Sequence, residues 1–198
     1  AACRVHTMGG GFAEVEQYYR VDSGGILDVW PAPLILQKDA VLRQSTQIDV
    51  AEDATVLFCE VIAPGRAAYG ECFEFSEWRS RLSIRAQGRL LAYENFSCLP
   101  GQGDLADWRK VYKEGIYAGL YYLSPRPLDT MIQTLHDLDE KGVHLGASSL
   151  REGGLGIKIL AKDGITLRKS IHSVRKLLIA HTEEKFPNAL LRSQTFFH

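Results

Sequence analysis

The chain has 198 residues and a formal net charge of −1, from 23 Lys and Arg against 24 Asp and Glu, and 45% of it is hydrophobic. That is one domain's worth of sequence, residues 1–198, long enough to bury a single sizeable core. Balanced charge without a basic cluster argues against nucleic acid as a partner, and no apolar run is long enough to span a bilayer as a helix.

Most of the chain reads as short strands, recognised by alternation of apolar and polar residues. The first strong alternation is Ala13–Val21 (AEVEQYYRV), followed by Ser23-Gly24-Gly25, a hairpin signal because glycine takes the positive φ such turns need. Pro31 and Pro33 bracket an extended segment, PAPLIL. Alternation returns in Val41–Val50. Residues 55–62 (TVLFCEVI) are almost continuously apolar, which predicts a strand covered on both faces. Pro64-Gly65 breaks that run. Residues 80–86 and 89–97 alternate again, with Gln87-Gly88 between them as a second hairpin signal. Residues 100–104 (PGQGD) read as a loop.

Helical spacing appears twice, both times late. Leu128, Met131, Ile132, Leu135 and Leu138 fall on one helical face, with Pro125 or Pro127 suited to its first turn and Gly142 to its C-terminal cap. Leu167, Ile171, Val174 and Leu178 mark a second helix over about 167–181, capped by Asp163 or Thr166. Two more strands lie between them, near 144–150 and 155–160. Strands first and helices late do not indicate βαβ winding.

Motifs for chemistry are mostly missing. Gly146-Ala147-Ser148-Ser149 lacks the second glycine of a nucleophile elbow and leads into a strand. Neither Gly101-Gln102-Gly103 nor Gly153-Gly154-Leu155-Gly156 has the strand-then-helix context of a dinucleotide loop, and there is no Walker loop. Cys3, Cys59, Cys72 and Cys98 form no C-x-x-C pair; Cys59 and Cys98 read as small buried hydrophobes. No signal peptide is evident, so a reducing cytoplasm is the expected setting. The histidines His6, His136, His144, His172, His181 and His198 make no metal-binding pair, and read as solvated or half-buried rings. The carboxylates carry more information. Glu60 sits inside the apolar run, Glu71 follows the Pro64 turn, and Glu94 lies in LLAYENF. A carboxylate in an apolar strand is costly to bury without a partner, and Arg66 could pair with Glu60 or Glu71. From the residues alone, a structural ion pair that fixes a bent strand explains these carboxylates more readily than a ligand role does.

The segment 60–75, EVIAPGRAAYGECFEF, resembles the UreD (UreH) family of urease accessory proteins: an acidic strand end, a small-Pro-Gly-Arg turn, Gly-Glu, then x-Phe-x-Phe. Its flanks agree. Trp30-Pro31-Ala32-Pro33-Leu34-Ile35 resembles the family's Pro-x-Pro-x-Ile segment, and Arg43-Gln44-Ser45-Thr46 its Gln-x-Thr strand. Arg79-Ser80-Arg81-Leu82 with Gly88-Arg89-Leu90 matches an R-S-x-L and G-x-L hairpin. Later, 146–150 leads to 154–160, with Lys158 at a usual Arg, and Val174, Arg175 and Leu178 resemble the final helix. The opening Ala1-Ala2-Cys3-Arg4-Val5-His6 looks like the family's first Ala-Ala strand. Two departures stand out. A Gly-Gly-x-x-x-Gly-Asp stretch expected further upstream is missing, so the chain, which opens on Ala1, reads as N-terminally incomplete, with an open sheet edge. The ending LLRSQTFFH replaces a usual Pro-Arg-x-Trp.

The resemblance implies a mainly β fold, a β-helix-like stack of short strands with two α-helices in the C-terminal half. It implies a non-catalytic scaffold that binds UreF, reaches the GTPase UreG through UreF, docks on apo-urease and helps deliver nickel, with no permanently bound cofactor. Weak, exchangeable oxygen ligands suit an ion in transit. Glu60, Glu71 and Glu94 are therefore the expected path residues, with Arg66 as their structural partner. The alternatives are a β-rich protein-binding module without a metal role, or a carboxylate-based β-solenoid hydrolase. The hydrolase would need an aromatic-lined groove, which the order of residues does not reveal.

Overall fold

A computed structural model describes residues 3–101, 115–138, 140–151 and 153–182. The strands, in chain order, are β1 Cys3–Val5, β2 Ala13–Val21, β3 Ile26–Val29, β4 Leu34–Leu36, β5 Val41–Val50, β6 Thr55–Ala63, β7 Glu77–Ala86, β8 Arg89–Cys98 and β9 Ile116–Leu123. Helix α1 (Met131–His136), strands β10 (Val143–Ser149) and β11 (Leu155–Ala161), and helix α2 (Gly164–Thr182) follow. Most of the 100–104 loop and the C-terminal LLRSQTFFH lie outside the described residues.

The strands form two sheets. One runs β1-β4-β6-β9-β11-β10, with β3 also on β6, and the other runs β2-β5-β7-β8. From β2 to β7 the chain passes back and forth between them. Successive passes pair in parallel: β2 with β5 and β5 with β7 in one sheet, β3 and β4 with β6 in the other. This is the expected β-helix-like winding, and it is mainly β. The Ser23–Gly25 turn is a correction. It makes no hairpin, because β2 and β3 belong to different sheets; Gly24, at φ 66°, turns the corner between them. Gln87 and Gly88 do close the β7–β8 hairpin, with φ of 49° and 77°, the two positive values of a type I′ turn.

Alternation sorts each strand's side chains into layers. In β6, Leu57, Cys59 and Val61 face the helices and pack with Leu120, Ile157, Leu167, Ile171 and Val174. Val56 and Phe58 face the second sheet and meet Ile48, Ile84 and Tyr121. Further along, Ile62 meets Leu42, Phe75, Trp78 and Cys98. The long apolar run is therefore a strand buried on both faces, as its composition predicts.

Helix α2 starts where Asp163 Oδ1 accepts the Thr166 amide at 2.7 Å, the expected cap. Helix α1 is shorter than its periodicity predicts. It begins after Thr130 and stops at His136, with Leu128 and Leu138 packed on the same core from outside the helix. Gly142 serves the turn into β10 instead, at φ 85°, where its carbonyl accepts the Lys162 amide. Two histidines do structural work. His136 Nε2 accepts the Ala147 amide at 3.2 Å. His181 Nε2 lies 2.9 Å from the Pro127 carbonyl, so it carries the proton, and Nδ1 accepts the Tyr122 hydroxyl at 2.9 Å. A buried pair, Arg175 to Asp28 at 2.6 Å, ties α2 to β3, with the guanidinium 5.1 Å from the Trp30 ring centre.

Candidate functional site

The apolar filling between the sheets is interrupted by a polar cluster. Register places Glu60 of β6, Gly119 of β9 and Lys158 of β11 in one row across the first sheet. Glycine in the middle leaves a gap over which the two long side chains lean. A Cβ at Gly119 would lie 2.8 Å from Tyr117 Oη and 3.4 Å from both Glu60 Oε1 and Lys158 Nζ. From the opposite sheet, Glu94 of β8 reaches across and binds the Lys158 ammonium and the Tyr121 hydroxyl. Lys158 Nζ also donates to Tyr117 Oη at 2.8 Å and to Tyr121 Oη at 3.1 Å. All three donors of the ammonium therefore have an acceptor.

Glu60 is 9% exposed. Its Oε2 accepts Gln44 Nε2 at 2.9 Å, and Gln44 Oε1 accepts Trp78 Nε1 at 3.3 Å. Burial pushes the Glu60 carboxyl up to about 7, with Lys158 drawing it down and Glu94 raising it further. Burial, together with the carboxylates nearby, holds both the Tyr117 and Tyr121 hydroxyls firmly in the protonated form.

Two hollows meet at this cluster. One, about 520 Å³, is lined by Glu60, Glu94 and Lys158 and by aromatic and apolar groups that include Phe73, Phe75, Trp78, Phe96 and Tyr117. The other, about 620 Å³, is lined by Tyr93, Glu94, Tyr121, Lys158 and the Gly146–Arg151 stretch. The aromatic lining is a correction. Its members come from segments far apart in sequence, so their order along the chain conceals the groove. Among the described residues, no group of three or more His, Cys, Asp or Glu is placed to hold a metal ion. The cluster offers oxygen donors from two carboxylates, hydroxyls and an amide.

Glu71 lies elsewhere. Its Oε2 accepts Arg66 Nε at 3.0 Å and its Oε1 the Lys38 amide at 2.7 Å. The Arg66 hydrogen bond holds the Glu71 carboxyl below the usual glutamate range. Arg66 therefore pairs with Glu71 and not with Glu60. Together they pin the Pro64–Phe73 turn, closed by Phe73 N to Pro64 O at 2.7 Å, and both turn ends line the aromatic hollow. Close packing requires Gly65 here, since a Cβ would fall 2.2 Å from the Glu71 carbonyl oxygen. Structure thus brings Glu60 and Glu94 together and assigns Glu71 and Arg66 to the rim. Lys158, Tyr117, Tyr121, Gln44 and Gly119 are the members that sequence reasoning missed. Lys158 carried a readable signal, a charge inside the apolar strand LGIKILA, of the same kind that exposed Glu60. Cys3, Cys59, Cys72 and Cys98 make no disulfide; Cys98, on the wall of the aromatic hollow, is pushed up to about 11 by burial.

Comparison with known proteins agrees with this architecture's sequence signature. The model of the UreD urease accessory protein family matches residues 1–191. The chain is 30% identical over 195 residues to the urease accessory protein UreD of Opitutus terrae, covering 94% of this chain and 68% of that one. It is 30% identical over 164 residues to UreD of Haloquadratum walsbyi, covering 81% of this chain and 54% of the relative. UreD of Actinobacillus pleuropneumoniae is 26% identical over 189 residues, 92% of this chain and 70% of its own. The chain thus spans 54% to 70% of these relatives' length, and each is named as a urease accessory protein. The chain belongs to the UreD family of urease accessory proteins.

Proposed function

We propose that this chain is a urease maturation factor: a non-catalytic scaffold that binds UreF, engages UreG through it, sits on apo-urease and passes nickel through its interior. The observation that carries this reading is the polar cluster of Glu60, Glu94, Lys158, Tyr117 and Tyr121 between two otherwise apolar sheets, with a hollow on either side. A core has no stability reason to bury the Glu60 carboxylate with a second, half-buried carboxylate, Glu94, beside it. Exchangeable oxygen donors beside water-sized space suit an ion that must leave again, whereas a thiolate or imidazole cage would retain it. Glu60 and Glu94 are the path residues; Glu71 and Arg66 hold the turn at its rim. Nickel is cargo here, and no cofactor is resident. Four cysteines outside any disulfide accord with a reducing cytoplasm. No helix among the described residues is long and apolar enough to cross a membrane.

The test of the scaffold is co-purification of this chain with UreF from the same source, resolved on a sizing column. A stoichiometric complex is the expected result. Absence of a complex, both with this chain and with an N-terminally extended one, would refute the scaffold reading and leave a generic β binding module.

A further inference from the structure

The two hollows have two lining residues in common among those described, Glu94 and Lys158. These same two residues form the ion pair that spans the sheets. The Lys158 stem rises from β11 in the row next to Gly119, and its ammonium sits at the hydroxyl ends of Tyr117 and Tyr121, 5.5 and 4.9 Å from their ring centres. Glu60 Oε1 and Lys158 Nζ both approach the empty space above Gly119. The ammonium is thus a cation held by oxygen donors, in the wall that the two hollows share.

We propose that Lys158 is a tethered gate, its ammonium occupying the place between Glu60 and Glu94 that a divalent cation must take to pass from one hollow to the other. This inference rests on the passage proposed above. Three features of the site support it. The ammonium is on a flexible four-carbon stem whose side chain is 40% exposed, so it has somewhere to go. Two carboxylates face one ammonium, so with both ionised the cluster is short of one positive charge, which a divalent cation displacing the ammonium would supply. A lysine head is also a point charge without preferred planar geometry, which makes it a better stand-in for a metal ion than the fork of an arginine. While the ammonium is in place the site holds no metal; when it swings out the oxygens are briefly available, and its return expels the ion.

The experiment uses the untagged chain, with nickel chloride as the probe, in equilibrium dialysis. Lys158→Met removes the resident cation and is expected to create one nickel site at least tenfold tighter than any in the parent chain. That gain is expected to vanish when Glu60→Gln is added, and Lys158→Arg should show none of it. Lys158→Gln, whose amide still donates to Glu94, gives the same reading if the methionine variant does not fold. Urease loading is followed in parallel. A gained site together with slower loading supports the gate. No gained site, or a gain indifferent to Glu60→Gln, overturns the gate; if Glu60→Gln alone still blocks loading, the passage survives. Loading unaffected by either Lys158→Met or Glu60→Gln overturns the passage and the gate with it.

Discussion

Replacing Glu60 by Gln should stabilise the protein, and more so as the pH rises. The Gln side chain fills the same space, and its carbonyl can still accept from Gln44. What it removes is a carboxyl that burial has raised from 4.5 to about 7. The folded state therefore holds this proton more tightly than the unfolded chain does. Its contribution to stability is full below the ordinary value of 4.5, falls as pH climbs from there to about 7, and is level above. The whole span amounts to about 3 kcal/mol at 1.36 kcal/mol per pH unit. Between about pH 5.5 and about pH 8.5 the advantage of the variant should widen by about 2 kcal/mol, once the part already lost below that window is subtracted. The attraction of Lys158 for the ionised carboxylate is already contained in the value of about 7 and does not change the direction. Urea unfolding at the two pH values, compared between parent and variant, measures the gap. A gap that stays constant would mean that Lys158 keeps Glu60 ionised throughout, and would refute the reasoning. The account thus predicts a variant that is more stable at high pH and worse at its task, the usual sign of a strained functional group.

Other parts of the fold give predictions of their own. Arg175→Ala leaves Asp28, whose side chain is 5% exposed, as a buried charge without its main partner, and should cost about 3–5 kcal/mol in thermal or urea unfolding; a loss under about 1 kcal/mol would contradict the pairing. Gly65→Ala forces a Cβ against the Glu71 carbonyl and should destabilise by about 1–3 kcal/mol in urea while disturbing the rim of the aromatic hollow. Asp163→Ala should cost about 1 kcal/mol through the lost cap of α2. Hydrogen bonding to Thr166 holds the Asp163 carboxyl below its ordinary value, so its contribution is present above that value and is lost as acid protonates it. The unfolding difference between parent and Asp163→Ala should therefore shrink in acid.

Local rules made much of the fold legible. Alternation in VLRQSTQIDV marks β5 because it has one face inside and one outside, whereas AEVEQYYRV marks β2 although that edge strand buries only Val21. Glu60 could be read as unusual because a charge in TVLFCEVI breaks a run that burial on both faces demands. The winding was less visible. Ser23-Gly24-Gly25 has hairpin chemistry, yet parallel pairing of β2 with β5 is decided by contacts about thirty residues away, such as Tyr18 with Gln47. Helix α1 looked longer because Leu128 and Leu138 fit its period. They pack on the same core from flanking turns, which periodicity cannot distinguish. Most of the site was hidden for the same reason. Lys158 meets Glu94 across 64 positions and Tyr117 across 41, so only tertiary register joins them. Arg66 and Glu71, five positions apart, were found because that turn is local.

The most direct test of the passage is the nickel content of urease matured with the parent chain and with the Glu60→Gln, Glu94→Gln double variant. Co-elution with UreF is measured on the same samples, so that scaffolding and transit are separated. The account predicts an unchanged complex and a urease nickel content lowered at least tenfold. Urease filled to the parent level by the double variant would contradict it, and would leave the cluster as a structural ion pair inside a scaffold that carries no ion.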